Sequence, residues 1–205
     1  MTQKPIVCII DDDEAIRESL RLLLYAGGLS SFVYESADSF LEEEEHPTFD
    51  CMLLDMRMPG TNGLELFKIL SRKHLPYPVI FITGHGDIPL AVSAIKLGAY
   101  DFLSKPFQDG ELLEKVRSAI NYYQSSREHL LELQDLQARA DSCTPREQDV
   151  MRLLAKGLPN KGIAETLGIS PRTVEIHRAN VMDKMTAESL PALVRMITTL
   201  ESEKI

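Results

Sequence analysis

Five short apolar runs, each followed by a stretch of helical spacing, constrain the first part of this chain more than any other feature. Ile6-Val7-Cys8-Ile9-Ile10 is continuous and mostly β-branched, as a strand buried on both faces must be. Phe32-Val33-Tyr34, Cys51-Met52-Leu53-Leu54, Val79-Ile80-Phe81-Ile82 and Phe102-Leu103-Ser104 repeat the theme. Between them lie amphipathic segments. Ile16, Leu20, Leu23 and Leu24 stop at Gly27-Gly28. Ser36 caps a helix carrying Phe40 and Leu41. Leu64, Phe67 and Leu70 mark a third helix, Ile88 to Leu97 a fourth ended by Gly98, and a fifth starts near Asp109. Five strand–helix units predict an α/β domain, a doubly wound five-stranded parallel sheet with helices on both faces.

The fifth helix predicts its own continuation, because no Pro interrupts the chain from Asp109 to about Ala140. Leu112, Leu113, Val116 and Ile120 suit packing on the sheet. Leu130, Leu133 and Leu136 form a thinner stripe, that of a solvated linker or of a spacer meeting another copy or a second domain. At Thr144-Pro145-Arg146-Glu147 a cap, a first-turn proline and a capping-box glutamate open a new helix. Another follows Gly157-Leu158-Pro159, a third starts at Ser170-Pro171, and a fourth runs from about Ser189. The expected organisation is an α/β domain over 1–123, a long helical linker over 124–143 and an all-α four-helix domain over 144–205.

Charge is shared unevenly. Residues 1–123 carry 11 Lys+Arg against 19 Asp+Glu, whereas residues 144–205 carry 9 against 8. The acidic part cannot be a nucleic-acid surface as a whole. With 44% hydrophobic and 26% charged residues, a disordered or fibrous chain is excluded. No apolar run is long enough to cross a bilayer and Met1 to Pro5 has no signal-peptide core, so no membrane role and a cytoplasmic location are expected. Cys8, Cys51 and Cys143 are too scattered for a disulfide framework or zinc site. Glu42 to Glu45 falls late in its helix, against the dipole, and reads as a frayed, solvated end.

Asp11-Asp12-Asp13 follow the first strand directly and Asp55 follows the third. In a parallel sheet of order 2-1-3-4-5 these positions converge beyond the carboxyl ends of neighbouring strands, where ligands bind. Clustered carboxylates call for a hard cation, and Mg²⁺ fits best. Thr83 ends the fourth strand and Lys105 follows the fifth. A metal, a hydroxyl and an ammonium beside carboxylates suit a phosphoryl group in transfer, with Asp55 left as the nucleophile. A haloacid-dehalogenase-type phosphatase is disfavoured, because Glu14-Ala15 stand where its motif needs Thr or Val. A flavin mononucleotide site is disfavoured by four acidic residues in a row. His85 reads as a residue at the pocket rim.

Asp11-Asp12, Asp55, Thr83 and Lys105-Pro106 resemble the pattern of the response-regulator receiver domain, over about residues 5–125. Met58-Pro59-Gly60, Ile82-Thr83-Gly84-His85-Gly86-Asp87 and Lys105-Pro106-Phe107 are most similar to its FixJ branch. The resemblance implies a flavodoxin-like fold and phosphorylation at Asp55. It also implies Mg²⁺ held directly by Asp12 and Asp55, through water by Asp11, and by the backbone carbonyl of Arg57. Phe102 would be the aromatic that turns inward when Thr83 moves to the phosphoryl group. Lys105-Pro106 would be a cis peptide.

Leu167-Gly168-Ile169-Ser170-Pro171-Arg172-Thr173-Val174 follows the helix, Gly-turn, capped-helix plan of a helix-turn-helix. Val174, Val181 and Met185 suit a core. Arg172, Thr173, Glu175, Arg178, Asn180 and Lys184 suit a face toward DNA. This stretch, with Thr144-Pro145-Arg146-Glu147, Gly157, Asn160-Lys161, Ile163-Ala164, His177 and Lys184-Met185, resembles the LuxR-type helix-turn-helix over about residues 142–202. That resemblance implies base contacts by Glu175, Ile176, Ala179 and Asn180. Phosphate contacts would fall to Lys161, Arg172, Thr173, Arg178 and Lys184. Gly162 and Thr186 depart from the usual Glu and Gly, Gly162 costing about 1 kcal/mol of helix propensity. The whole resembles FixJ-like regulators, those of aromatic-hydrocarbon catabolism such as the styrene regulator among them. It implies a two-component response regulator that is no enzyme beyond its own phosphoryl transfer and dephosphorylation. A sensor histidine kinase would phosphorylate it. It would then form a homodimer, bind double-stranded promoter DNA and, with RNA polymerase, activate transcription. The alternative is a DNA-binding regulator whose receiver works without phosphate.

Overall fold

The structure, a computed structural model, describes residues 4–72, 77–84 and 88–202, leaving aside the side chain of Ile88. The chain divides into two units, Met1–Ser126 and Arg127–Ile205. In the first, β1 (Ile6–Ile10), β2 (Ser30–Tyr34), β3 (Cys51–Asp55), β4 (Val79–Thr83) and β5 (Asp101–Ser104) form one parallel sheet of order β2-β1-β3-β4-β5. They alternate with α1 (Glu14–Ala26), α2 (Ala37–Glu42), α3 (Gly63–Arg72) and α4 (Ile88–Lys96), and α5 (Asp109–Asp141) follows β5.

Alternation along the strands splits the core in two. Val7, Ile9, Leu53 and Ile82 face Leu20 and Leu24 of α1 and Leu112, Val116 and Ile120 of α5. Cys8, Ile10, Leu54 and Phe81 face Phe40 of α2, Leu66 and Leu70 of α3 and Ala91 and Ala94 of α4. This is the doubly wound arrangement that the five repeats predict. Strand order reverses around β1, so the crevice beyond the carboxyl ends of β1 and β3 is the topological switch point. The Glu42–Glu45 run differs from expectation. α2 ends at Glu42, so Glu43 is its C-cap and Glu44 and Glu45 lie beyond the helix, all three exposed.

The second unit is helical: α6 (Pro145–Ala155), α7 (Asn160–Leu167), α8 (Pro171–Lys184) and α9 (Leu190–Ser202). The capping box expected at Thr144 and Glu147 is formed, and Pro145 opens α6. Gly168 ends α7 in the left-handed conformation (φ 64°), and Ser170 caps α8 by accepting from the Thr173 amide. Val150, Leu154, Ile163, Val174, Val181, Met185, Leu193 and Ile197 fill the core. α5 does not stop at the unit boundary. Its Ala140, together with Cys143 just beyond the helix, is buried in this second core, and Leu136 packs against it. The end of the expected linker is therefore structural rather than solvated, while Leu130 stays exposed. All three cysteines are buried and unpaired.

Candidate functional site

Parallel pairing aligns the strand ends that carry the chemistry. Ile10 pairs with Leu54, so Asp11 and Asp55 leave adjacent strands at the same level. Asp55 pairs with Ile82, and Thr83 with Ser104, which brings Thr83 and Lys105 to the same edge. The Lys105 ammonium donates to both acids, 2.6 Å to Asp55 Oδ1 and 3.0 Å to Asp11 Oδ2. Asp11 is 1% and Asp55 7% exposed, so one cation serves two nearly dry carboxylates. The Lys105-Pro106 peptide is cis, as the resemblance implies.

The three consecutive aspartates have separate tasks. Asp11 is the buried one, and its Oδ1 accepts from the Asp13 amide at 2.9 Å. Asp13 caps α1, accepting from the amides of Ala15 and Ile16. Asp12 is exposed. The other Asp55 oxygen accepts from the Arg57 amide at 2.6 Å. Thr83 is fully buried, its hydroxyl 3.4 Å from the Leu103 carbonyl oxygen. Phe102 is half-buried against the face packed by α2, α3 and α4. His85 lies outside the described residues.

Burial pushes the Asp55 carboxyl above its ordinary pKa, against the pull of the Lys105 hydrogen bond and charge; neighbouring Asp11 adds to the rise. Burial alone would lower the Lys105 pKa, but its hydrogen bonds to Asp55 and Asp11 more than offset this and raise it. The pocket is thus short of positive charge. Its donors are hard oxygens. Among the described residues no three Asp, Glu, His or Cys side chains group as an all-protein metal cage. The hard oxygens of Asp11 and Asp55, side by side on Lys105, are the donor type that suits Mg²⁺, which takes one or two carboxylates and keeps several waters, and receiver domains generally bind Mg²⁺ at the phosphorylation site.

Two contributors to the pocket carried a weaker sequence signal. Arg17, one turn into α1, donates to the Asp11 carbonyl oxygen at 2.8 Å. A lone cation just after an acidic triplet is the mark that could have found it. Gly63, the first residue of α3, stands against the Asp55 backbone.

In the helical unit, α8 offers an exposed face of Arg172, Glu175, Ile176 and Ala179, with Lys161 exposed on α7. Arg172 pairs with Glu175 at 3.3 Å, Thr173 shares a hydrogen bond with Ser170, and Arg178 donates to Asn160 at 3.2 Å. Asn180, exposed on α8, and Lys184, half-buried at its end, also bond within the unit. Asn180 Nδ2 donates to Glu147 Oε1 at 3.0 Å, and Lys184 Nζ to Glu147 Oε2 at 2.6 Å and the Ser142 carbonyl oxygen at 3.1 Å. The reason is Glu147 itself. Only 4% exposed, it also accepts from the Thr144 amide, and it requires these donors to remain charged. The Lys184 ammonium, ahead of the Thr144 amide, holds its carboxyl down at about 2.

Residues 7–117 match the response regulator receiver domain family, and residues 141–197 the luxR family of bacterial regulatory proteins. The chain is 46% identical to the transcriptional regulatory protein FixJ of Bradyrhizobium diazoefficiens, over 96% of each chain. It is 40% identical to the response regulator protein TodT of Pseudomonas putida, over 96% of this chain and 86% of the relative. Among solved structures, the response regulator StyR aligns over 96% of this chain and all of its own, with a TM-score of 0.86 and 40% identity. Full-length FixJ from B. japonicum aligns over 98% of this chain and 99% of its own, with a TM-score of 0.63 and 45% identity. Among the described residues no helix is long and apolar enough to cross a membrane. A receiver pocket at the switch point of one unit and a helix-turn-helix in the other place this chain in the FixJ-type response regulators, two-component regulators of transcription that join a receiver domain to a LuxR-type DNA-binding domain.

Proposed function

We propose that a sensor histidine kinase phosphorylates this regulator on Asp55, and that the phosphorylated form dimerises, binds promoter DNA and activates transcription with RNA polymerase. The observation that carries the proposal is the Lys105 ammonium set between Asp11 and Asp55. An Asp55 oxygen attacks the phosphorus, the bond to the donor imidazole nitrogen breaks, and an acyl phosphate forms while the imidazole leaves with its electron pair. Lys105 is placed to neutralise charge on the phosphoryl oxygens. Asp11, fixed by the Asp13 amide and Lys105, keeps its carboxylate at the pocket wall. Asp11, Asp12, Asp55 and the Arg57 carbonyl would hold Mg²⁺, which when bound offsets the negative charge of acids and phosphate together. Thr83 would exchange its long bond to Leu103 for one to the phosphoryl group, with Phe102 moving inward.

Leu90, Val92, Ile95 and Leu97 are exposed on and just after α4, beside the β5 edge. They support that face as the one along which two phosphorylated copies pair. DNA contact falls to Lys161, Arg172, Thr173, Glu175, Ile176, Arg178 and Ala179. Asn180 and Lys184 are reassigned to holding Glu147.

The test is to incubate the full chain with acetyl phosphate and Mg²⁺, then read its mass and its retention of DNA. One adduct of about 80 Da, the mass of a single phosphate, is expected in wild type and none in Asp55→Asn, with DNA retention rising only in wild type. Full DNA retention without adduct supports instead a receiver that works without phosphate.

A further inference from the structure

We propose that Arg139, near the end of α5, is a positioning residue for DNA recognition. It pins the turn that closes the recognition helix α8. The proposal rests on the DNA-binding role of α8 given above.

α8 ends at Lys184, and the chain turns through Met185 and Thr186 toward α9. Thr186 has φ 50°, the one described non-glycine residue in the left-handed region. Glycine is the ordinary choice at such a helix end, because a side chain, above all a β-branched one, crowds the backbone there. The threonine hydroxyl supplies what glycine cannot. It accepts a hydrogen bond from Arg139 and donates to the Met185 carbonyl oxygen at 2.7 Å. The other guanidinium nitrogen of Arg139 is held 2.5 Å from Asp135, one turn earlier on α5. The guanidinium therefore stands at the carboxyl end of α8, where the helix dipole favours a cation.

A second link lies beside the first. Lys184, the last residue of α8, reaches the Ser142 carbonyl oxygen just past α5 and the Glu147 carboxylate of α6. With Ala140 and Cys143 buried in the same core, the last turns of α5 grip α8 by its end. The tilt of α8 decides which base edges Glu175, Ile176 and Ala179 meet. Thr186 thus gives up backbone ease for a link that sets this tilt.

The experiment uses the full chain, treated with phosphodonor, and duplex DNA selected by wild type from a random pool. Affinity is measured at several salt concentrations beside thermal stability. Thr186→Gly should be as stable as wild type or more so, yet bind about fivefold to tenfold more weakly, the scale of one ordinary lost hydrogen bond. Thr186→Ser, which keeps the hydroxyl, should retain wild-type affinity. Arg139→Ala should lose as much as Thr186→Gly, and the double variant no more than either alone. The salt slope should not change, because the Arg139 guanidinium acts through Thr186 and Asp135 rather than on a phosphate under this proposal. Wild-type affinity in Thr186→Gly or Arg139→Ala overturns the proposal, and so does a slope reduced by about one unit in Arg139→Ala, which would mark a direct phosphate contact. Wild type that selects no duplex overturns the DNA-binding reading and the proposal with it.

Discussion

Gly63 is packed so closely behind Asp55 that a Cβ on it would lie 2.1 Å from the Asp55 carbonyl oxygen. Its amide donates to the Met56 carbonyl oxygen at 3.2 Å, which locks the start of α3 onto the end of β3. The obstacle is backbone, so no rotamer change can relieve it. Gly63→Ala should destabilise the receiver by about 1–3 kcal/mol, the usual cost of overpacking, and displace the acceptor. Urea unfolding should show a lower midpoint, and acetyl phosphate should load Asp55 more slowly. Gly110→Ala, at a position with open space around it, is the control and should be neutral or slightly stabilising.

Lys105→Met leaves Asp11 and Asp55 buried together with no ammonium between them. The loss should be roughly 1–3 kcal/mol at pH 7, less than for a fully buried pair because the Lys105 side chain is 25% exposed. Asp55 already has a raised pKa, and removing the cation raises it further. A carboxyl raised in the folded state binds more protons there than in the unfolded chain. The variant should therefore gain stability relative to wild type as pH falls, and lose it as pH rises through the folded value. Unfolding curves from pH 5 to 8 check this, and a pH-independent difference would contradict it.

The strand runs, the capping box of Thr144 and Glu147 and the convergence of Asp11, Asp55, Thr83 and Lys105 were legible because each depends on local pattern or on the fixed geometry of a parallel sheet. Asp13 shows where that ends. Three identical residues in a row carry no mark of which is buried and which caps a helix. Asn180 and Lys184 show the same limit at longer range. Helical spacing puts them on a polar side of α8, but their partner is Glu147, 33 and 37 residues earlier. Periodicity within one helix says nothing of a buried acid presented by another.

Glu147 gives the helical unit an acid-sensitive joint. Its carboxyl falls from an ordinary 4.5 to about 2, through Lys184 first and then the Thr144 amide. A depressed carboxyl stabilises the fold above the unfolded value and loses that contribution as pH falls through the folded one, between about 4.5 and 2 here. Glu147→Gln should lower the thermal midpoint of this unit at pH 6. The gap to wild type should narrow below pH 4.5 and close near pH 2, as followed by amide NMR signals of the C-terminal residues.

Lys161 and Arg178 should act on DNA through charge. Neutralising either should weaken binding to all sequences alike and reduce the salt slope by about one unit per contact. Asn180→Ala should leave both base preference and salt slope unchanged and act on stability, because one of its amide N–H groups is committed to the buried Glu147. Binding to selected and scrambled duplexes over a salt series separates these outcomes. A change of base preference in Asn180→Ala would return that residue to the DNA face.

The relay from Asp11 to the Asp13 amide, and from the Asp13 carboxylate to the amides of Ala15 and Ile16, ties the charge in the pocket to the first turn of α1. Whatever draws on the Asp11 carboxylate competes with the Asp13 amide for it, so a change of occupant in the pocket alters how firmly that amide is held. Hydrogen–deuterium exchange at Asp13, Ala15 and Ile16 is thus a built-in reporter of what occupies the acidic pocket, readable without an attached probe and without altering the acceptor.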